Sequence, residues 1–261
     1  MEENVLLSER QGQICTLIIN RPDKRNSLTP ALLMQLADKM EVLRNDSSVR
    51  VIILRGAGDQ AFSSGYDISQ IPTKGTEAPP PVEILNRALE TIAVFPYPVI
   101  GMLNGHTMGA GFELAATCDL RLASESALFA VPPARLGVLY SYSGTRRFIN
   151  LLGVAATKEI LFTGKPFDAK RAWEIGFLNR VAPLKELSDI TYKMAQEIAE
   201  NAPLSVKGAK RMISVLLSYQ QLSAGHRMEL DALIQQCFQS EDLKEGQQAF
   251  LERRKPKFQG K

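Results

Sequence analysis

Apolar residues in the first part of the chain form short runs separated by polar and turn-forming residues. The runs Val5 to Leu7, Ile14 to Asn20 and Val51 to Arg55 are rich in aliphatic and β-branched residues, which predicts strands. Between the last two, Thr29 and Pro30 are typical of a helix N-cap and first helical position. The apolar residues that follow at helical spacing are Leu32, Leu33, Leu36, Met40 and Leu43. The pattern therefore predicts strand, strand, helix, strand.

A similar pattern returns further along the chain. Val82 to Val94 predicts a helix, Val99 to Leu103 a strand and Ala110 to Thr117 a second helix. Leu120 to Ala123 and Ala127 to Ala130 are again strand-like, and apolar positions then recur at helical spacing over most of the remaining chain. The sequence therefore predicts an α/β protein in which strand-rich units come first and helices last.

One segment between these patterns is typical of neither element. Thr73 to Pro81 contains Gly75 and ends in three consecutive prolines, which interrupt helices and strands alike. We expect a surface loop here, and its position just after the glycine-containing stretch Ala61 to Ile68 suggests a lid.

Two glycine-containing stretches carry the candidate chemistry. Ala61 to Ile68 and Asn104 to Ala115 each come after an apolar strand-like run and place small residues where the backbone turns. Two amides exposed by such turns form an oxyanion hole, in which one donor contributes on the order of 3 kcal/mol of transition-state stabilisation. The second turn opens the predicted helix at Ala110, and the dipole of that helix also favours negative charge.

Composition narrows the functional classes. The 261 residues carry a formal net charge of +3 with dispersed basic residues, so no nucleic-acid partner is expected. The basic run Arg253 to Lys255 is either a solvated tail or a contact to a partner subunit or a phosphate. Cys15, Cys118 and Cys237 are few and far apart, which favours reduced thiols inside a cell. Met1 to Asn4 lacks a signal-peptide pattern and no stretch predicts a membrane span, so we expect a cytoplasmic protein.

The two stretches, together with Leu17 to Pro22, Ala172 to Asn179 and Phe250 to Pro256, resemble the crotonase family of enoyl-CoA hydratases and isomerases over essentially the whole chain. The resemblance implies an α/β fold, a crotonase-like spiral of ββα units with a C-terminal helical trimerisation region. It implies a spiral core at residues 1–190 and, at residues 191–261, a helical region that covers the site and packs the oligomer. A plain helical cap is the alternative for that region. The implied partners are an acyl-CoA thioester and further copies of the chain in a homotrimer or hexamer, with no nucleic acid and no membrane.

The resemblance also implies site residues. Tyr66 and Ala110 occupy the positions whose backbone amides form the oxyanion hole in the family, so their side chains are free to vary. Lys24 and Arg25 match a basic turn near the CoA phosphates, for which a solvated turn is the alternative. The full set of implied substrate- and CoA-binding residues is Lys24, Arg25, Ser64, Asp67, Ile68 and Pro133. The resemblance implies no metal or redox cofactor, and coenzyme A is part of the substrate.

One position departs from the pattern of the family's hydratases. Those enzymes move protons with two glutamates, of which Glu113 matches the first, whereas Pro133 stands in place of the second. General acid–base help is worth on the order of 10²- to 10⁴-fold in rate, so an efficient two-glutamate hydratase is disfavoured. A proline at this position together with Tyr140 resembles the methylmalonyl-CoA decarboxylase branch of the family. Tyr66 departs from that branch, which has a histidine there.

We therefore expect a lyase that decarboxylates a short-chain malonyl-CoA derivative, methylmalonyl-CoA to propionyl-CoA, through a thioester enolate held in the oxyanion hole. Tyr140 would orient the departing carboxylate, or it is a half-buried tyrosine whose hydroxyl is bonded to backbone. Glu113 either protonates the enolate or is bonded to local backbone. An enoyl-CoA hydratase or isomerase and a noncatalytic acyl-CoA binder are the alternative functions.

Overall fold

The computed structural model describes residues 4–67, 81–218 and 224–259, and over these residues it contains ten strands and nine α-helices. The strands are β1 (Leu6–Gln11), β2 (Ile14–Ile19), β3 (Val51–Gly56), β4 (Ala61–Ser63), β5 (Val99–Leu103), β6 (His106–Met108), β7 (Leu120–Ser124), β8 (Leu128–Ala130), β9 (Phe167–Asp168) and β10 (Arg180–Ala182). The helices are α1 (Pro30–Arg44), α2 (Pro81–Ala93), α3 (Ala110–Thr117), α4 (Tyr142–Thr163), α5 (Ala169–Glu174), α6 (Leu184–Glu200), α7 (Pro203–Ser218), α8 (Ala224–Gln239) and α9 (Glu241–Leu251). The predicted α/β class is confirmed.

The larger sheet has six strands in the order β1, β2, β3, β5, β7, β10. Strand β1 pairs antiparallel with β2, and every other pair in this sheet is parallel. Strands β2 and β5 are buried along their whole length and β3 nearly so. Parallel strands covered by helices on both faces are expected to read as continuous apolar runs, which explains why these three were visible in the sequence.

Helices cover both faces of this sheet. On one face, α1, α2 and α3 enclose a core that includes the fully buried rings of Phe62, Phe112 and Phe129. On the other face, α6 packs Leu187 and Ala195 against the sheet. The predicted spiral core ends at residue 190, which lies inside α6 between Leu187 and Ala195. Helix α6 therefore packs on the sheet on both sides of the predicted boundary. The division into two domains stays a prediction.

The smaller sheet brings the two glycine-containing stretches together. Its order is β4, β6, β8, β9, and its first three strands are parallel. Ala61 lies opposite His106, and Ser63 lies opposite Thr107. Because parallel strands end at the same edge of a sheet, the turns that follow β4 and β6 are neighbours. This sheet therefore positions both candidate amide donors.

The local predictions are confirmed where the apolar pattern is long. Helix α1 begins after Thr29, whose hydroxyl accepts a 3.3 Å hydrogen bond from the Leu32 amide, as its N-cap. Strands β4, β6, β9 and β10 were not predicted, because each has only two or three residues and none is a continuous apolar run. The predicted lid, Thr73 to Pro81, lies outside the described residues except for Pro81, which opens α2. Not one of the helices described here combines the length and the apolar character that crossing a bilayer demands.

Candidate active site

The first donor turn follows β4. Tyr66 forms an isolated parallel bridge with Leu28, in which the Leu28 amide donates to the Gly65 carbonyl at 2.8 Å and the Asp67 amide donates to the Leu28 carbonyl at 2.9 Å. Successive peptide groups of an extended backbone point to opposite sides, so the Tyr66 amide faces away from Leu28. Within the described part of the chain, no backbone acceptor takes up this amide.

The second donor turn joins β6 to α3. Gly109 is the helix N-cap, with φ of +53°, and its amide donates to the Ala130 carbonyl at 2.9 Å. Ala110 is the first helical residue, so its amide has no acceptor within the helix. The aligned peptide dipoles of α3 add partial positive charge at this end.

Glycines allow the two turns to touch. At Gly65, with φ of +95°, a Cβ atom would lie 2.8 Å from the Met108 carbonyl oxygen and 3.4 Å from the Ala110 nitrogen. At Gly111 a Cβ atom would lie 2.7 Å from Cβ of Ser63. Larger residues would separate α3 from the first turn. The arrangement can therefore present two backbone amides to one oxygen atom, as an oxyanion hole requires.

Tyr66 and Ala110, the two candidate donor residues, line a cavity of about 550 Å³. Of the residues predicted for the site, those in the cavity wall are Arg25, Ser64, Tyr66, Ala110, Glu113, Pro133 and Tyr140. Lys24 and Asp67 lie beside the first turn but not in the wall, and Ile68 lies outside the described residues. The structure thus brings together the predicted donors, the glutamate and the tyrosine, which are separate in sequence.

The basic turn and Asp67 hold the first donor turn. The Ser64 amide donates to the Arg25 carbonyl at 2.9 Å. The Asp67 carboxylate accepts from Arg21 Nη1 at 3.3 Å and from the Ser27 hydroxyl at 3.4 Å. These contacts occupy the Asp67 carboxylate within the protein, and Arg25 is the basic residue of the turn that reaches the cavity wall.

Glu113 is 2% exposed and projects from the first turn of α3. Its Oε1 accepts a 2.9 Å hydrogen bond from Arg147 Nη1 of α4. Burial raises the pKa of Glu113 to about 7, while the Arg147 charge and hydrogen bond oppose that rise. The carboxyl group therefore titrates near neutral pH, where it can either release or accept a proton.

Tyr140 is partly buried and packs edge to face on Phe148, with ring centroids 5.4 Å apart. Burial raises the pKa of its hydroxyl well above the usual value, and the nearby Glu113 charge adds to the effect. The described residues offer this hydroxyl no hydrogen-bond partner. Tyr140 is thus a protonated donor at the cavity wall, and Glu113 is bonded to a side chain; neither makes the backbone bond considered as an alternative.

The Tyr66 side chain also differs from an ordinary surface tyrosine. Its hydroxyl is buried and has no hydrogen-bond partner among the described residues. Burial, and to a smaller degree the Asp67 charge, raises the pKa of Tyr66 to about 12. The hydroxyl therefore stays protonated at neutral pH. The candidate oxyanion donor of Tyr66 is its backbone amide, which has no backbone acceptor in the described part of the chain.

Pro133 begins a short 3-10 turn, Pro133–Arg135, and is buried in the cavity wall. It brings no titratable group to the site. Across the described lining residues, Glu113 is the single carboxylate. The described residues likewise contain no group of three or more His, Cys, Asp or Glu side chains placed to hold a metal ion.

Several cavity residues were not predicted individually. Phe238 of α8, Gly246 and Phe250 of α9, and Arg254 and Pro256 beyond it line the cavity from the C-terminal part of the chain. Helix α9 approaches closely because Gly246 has no Cβ, which would lie 2.5 Å from the Leu136 carbonyl oxygen. Arg147 was also missed, since it is 34 residues from Glu113 and only the fold joins them.

The chain matches a known protein family over nearly its whole length. The family model for enoyl-CoA hydratase/isomerase matches residues 9–261. The chain belongs to the crotonase family. Its α/β fold is accordingly the crotonase fold, and the resemblance of its motifs to that family is confirmed.

The relatives of this crotonase are named for different reactions. It is 33% identical over 263 residues to the short-chain-enoyl-CoA hydratase of Clostridium acetobutylicum, covering 98% of this chain and 97% of the relative. It is also 33% identical over 250 residues to the methylmalonyl-CoA decarboxylase of Escherichia coli, covering 95% of each chain. Sequence identity therefore identifies the family but does not distinguish between the hydratase and decarboxylase reactions.

Two solved structures of family members superimpose closely on this chain. A methylmalonyl-CoA decarboxylase in complex with 2-nitronate-propionyl-CoA superimposes with a TM-score of 0.92 at 31% identity, over 99% of both chains. A second structure of methylmalonyl-CoA decarboxylase, complexed with 2S-carboxypropyl CoA, also gives 0.92 at 31% identity over the full length of both. An acyl-CoA thioester is the substrate class that fits this crotonase.

Proposed function

We propose that this crotonase is a lyase that decarboxylates a short-chain malonyl-CoA derivative, with methylmalonyl-CoA to propionyl-CoA as the lead reaction. The supporting observation is the composition of the cavity wall. Glu113 is the single carboxylate in its described part, and buried Pro133 stands where hydratases of the family have their second glutamate. The fold similarity to methylmalonyl-CoA decarboxylase is consistent with this assignment.

Decarboxylation matches the groups that are present. The bond between the α carbon and the carboxylate carbon breaks, CO₂ leaves, and the electron pair of that bond forms a thioester enolate. Negative charge develops on the thioester oxygen, where the amides of Tyr66 and Ala110 would stabilise it. No base has to remove a carbon-bound proton. A proton then adds to the α carbon and gives the acyl-CoA product.

Tyr140 would orient the carboxylate before it leaves. Its hydroxyl stays protonated at neutral pH, because burial raises its pKa, and it has no described protein partner. A hydrogen bond from this group would hold the breaking bond out of the thioester plane, so that its electrons flow into the carbonyl. Apolar side chains in the wall, such as Leu85 and Val138, would replace water around the carboxylate.

The test is product analysis by mass spectrometry. The purified protein is incubated separately with methylmalonyl-CoA, malonyl-CoA and crotonyl-CoA. Formation of propionyl-CoA or acetyl-CoA is expected from the first two, and an Ala110→Pro variant serves as the oxyanion-deficient control. Absence of both products, with the protein folded and the thioester bound, would overturn the proposal.

An enoyl-CoA hydratase or isomerase is the second candidate. Glu113 lies in the cavity wall with its pKa raised to about 7, which suits a single general acid or base. Conversion of crotonyl-CoA alone, to 3-hydroxybutyryl-CoA, would establish this function. Binding of methylmalonyl-CoA without turnover of any of the three thioesters would identify a noncatalytic acyl-CoA binder.

We also propose that the protein assembles as a homotrimer or hexamer. Helix α7 supports this, because its apolar residues Leu204, Met212, Ile213 and Leu216 are each more than half exposed. Such a concentration of exposed apolar side chains on one element is typical of a protein interface. Sedimentation or light scattering in solution is expected to give three or six times the chain mass, and a monomer would contradict the proposal.

A further inference from the structure

The first two turns of α4 lie against the Glu113 carboxylate. Ser141 is the N-cap of this helix, and its hydroxyl accepts a 3.1 Å hydrogen bond from the Gly144 amide. Gly144 and Arg147 are three residues apart, so they lie on the same face of the helix. That face is turned towards α3, which carries Glu113.

Gly144 leaves room for the Glu113 carboxylate at the surface of α4. A Cβ atom at position 144 would lie 2.5 Å from Glu113 Oε1 and 3.1 Å from the carboxyl carbon. A contact of 2.5 Å is essentially never found for a real Cβ atom, so any larger residue would displace the carboxylate or the helix. The absence of a side chain at this position therefore admits the carboxylate to the helix surface, where Arg147 meets it.

Arg147 forms an ion pair with the Glu113 carboxylate. Its Nη1 lies 2.9 Å from Oε1, and the two side chains are 23% and 3% exposed. Arg147 and Tyr140 are the charged or titratable groups that face Glu113 within the described part of the chain. The neighbouring Arg146 instead lies over the Tyr142 ring, 5.6 Å from its centroid. Glu113 Oε2 has no hydrogen-bond partner among the described residues.

We propose that Arg147 is a positioning residue of this active site, which fixes one oxygen of the Glu113 carboxyl group and leaves the other for the substrate. Holding Oε1 removes the rotational freedom of the carboxyl group and sets its protonation equilibrium. Breaking a buried pair at one partner leaves an uncompensated charge, so the carboxyl group responds by retaining its proton to higher pH. The consequence for catalysis rests on the proposed function: a fixed carboxyl group would deliver its proton to the α carbon of the enolate.

The titration of Glu113 tests this inference without turnover. The carbonyl stretch of the protonated carboxyl group is followed by infrared spectroscopy against pH, and the Glu113 band is identified by its loss in Glu113→Gln. In Arg147→Met, which keeps the apolar stem of the side chain, the midpoint is expected to rise by at least about one pH unit. Arg146→Met is the matched control, with the midpoint of the wild type. An unchanged midpoint in Arg147→Met would overturn the inference.

Steady-state kinetics provide the second readout. A positioning role predicts that Arg147→Met lowers kcat by about tenfold or more and leaves KM for the thioester within about threefold. Arg147→Lys keeps the charge but not the planar fork of the guanidinium, so its kcat is expected to lie between those of the wild type and Arg147→Met. If Arg147→Met does not fold, the double variant Glu113→Gln/Arg147→Met is prepared, because it removes both charges. The titration of Glu113 is then measured in Arg147→Lys. Wild-type midpoint and wild-type kcat in Arg147→Lys would then contradict the role of the guanidinium. A shifted midpoint without any decarboxylation would reject the proposed function and retain the positioning role.

Discussion

A single hydroxyl group distinguishes Tyr140 from phenylalanine, and that hydroxyl has no hydrogen-bond partner in the part of the chain the structure describes. A structural tyrosine at a half-buried position normally bonds its hydroxyl to backbone or water. Here the ring is held by Phe148, whereas the polar end remains available at the cavity wall. Packing and polar function are therefore separated within one side chain, which makes its hydroxyl a clean target for substitution.

Tyr140→Phe is expected to lower kcat/KM for methylmalonyl-CoA by about 10- to 100-fold, because a hydrogen bond to a charged carboxylate contributes roughly 1.5 to 3 kcal/mol. The ring contact with Phe148 is retained, so the melting temperature should stay close to that of the wild type. Binding of propionyl-CoA, which lacks the carboxylate, should change little. The measurement is initial-rate kinetics with calorimetric binding of propionyl-CoA, and unchanged kcat/KM would remove Tyr140 from the mechanism.

Glu113 predicts a pH dependence of stability. Its pKa is raised from 4.5 to about 7 in the folded protein, so the folded state binds more protons than the unfolded state between these values. The free energy of unfolding must therefore fall as pH rises from 4.5 to 7, by an amount on the order of 3 kcal/mol from this group. Glu113→Gln removes the titration.

The expected result is a difference curve. Urea unfolding of the wild type and Glu113→Gln at several pH values should show the wild type losing stability relative to the variant between pH 4.5 and 7, with a constant difference above that range. A difference that is flat across this interval would show that Glu113 is not the perturbed group.

At the scale of elements, the start of α3 carries the oxyanion proposal. Ala110 is its first helical residue, a position where proline is well accepted because the amide has no helical acceptor. Ala110→Pro therefore deletes the proposed donor and keeps the helix. Decarboxylation is expected to fall by about 100-fold or more, the usual cost of one oxyanion donor.

Ala110→Ser is the matched control, since it changes the side chain and keeps the amide. Circular dichroism and thermal unfolding establish that both variants are folded. Equal activity of Ala110→Pro and Ala110→Ser would show that the Ala110 amide does not carry the developing charge.

The helices and strands show which parts of the structure the sequence can and cannot predict. The strands β2, β3 and β5 and the helix α1 have long apolar patterns, and all were predicted within a residue or two. The three-residue strands β4 and β6 align the donor turns but are too short to produce a pattern. Glycine-containing turns after buried strands were visible, because turn chemistry is local. The pairing of Arg147 with Glu113 was not visible, because it depends on where α4 packs against α3.

At the scale of the whole molecule, the C-terminal part of the chain closes the cavity. Arg254 binds Glu245 of α9 through two nitrogens, at 2.6 and 2.8 Å, and the Lys257 amide donates to the same carboxylate at 2.7 Å. The segment at residues 252–259 is thus fixed on α9, and it places Arg254 and Pro256 in the cavity wall. Closure of the site depends on contacts more than a hundred residues away from the oxyanion turns in sequence.

Glu245→Gln tests this dependence, because Glu245 holds the segment at residues 252–259 without lining the cavity. We expect faster hydrogen exchange in that segment and a KM for acyl-CoA raised up to about fivefold, the range of an exposed ion pair, with kcat close to the wild type. Lys244→Gln is the matched control, since it breaks the surface pair with Glu241 on the same helix. The KM difference should shrink at high salt, because these charges are screened. Unchanged exchange and unchanged KM in Glu245→Gln would mean that this ion pair does not fix the cover, whereas faster exchange with an unchanged KM would mean that the cover does not contribute to thioester binding.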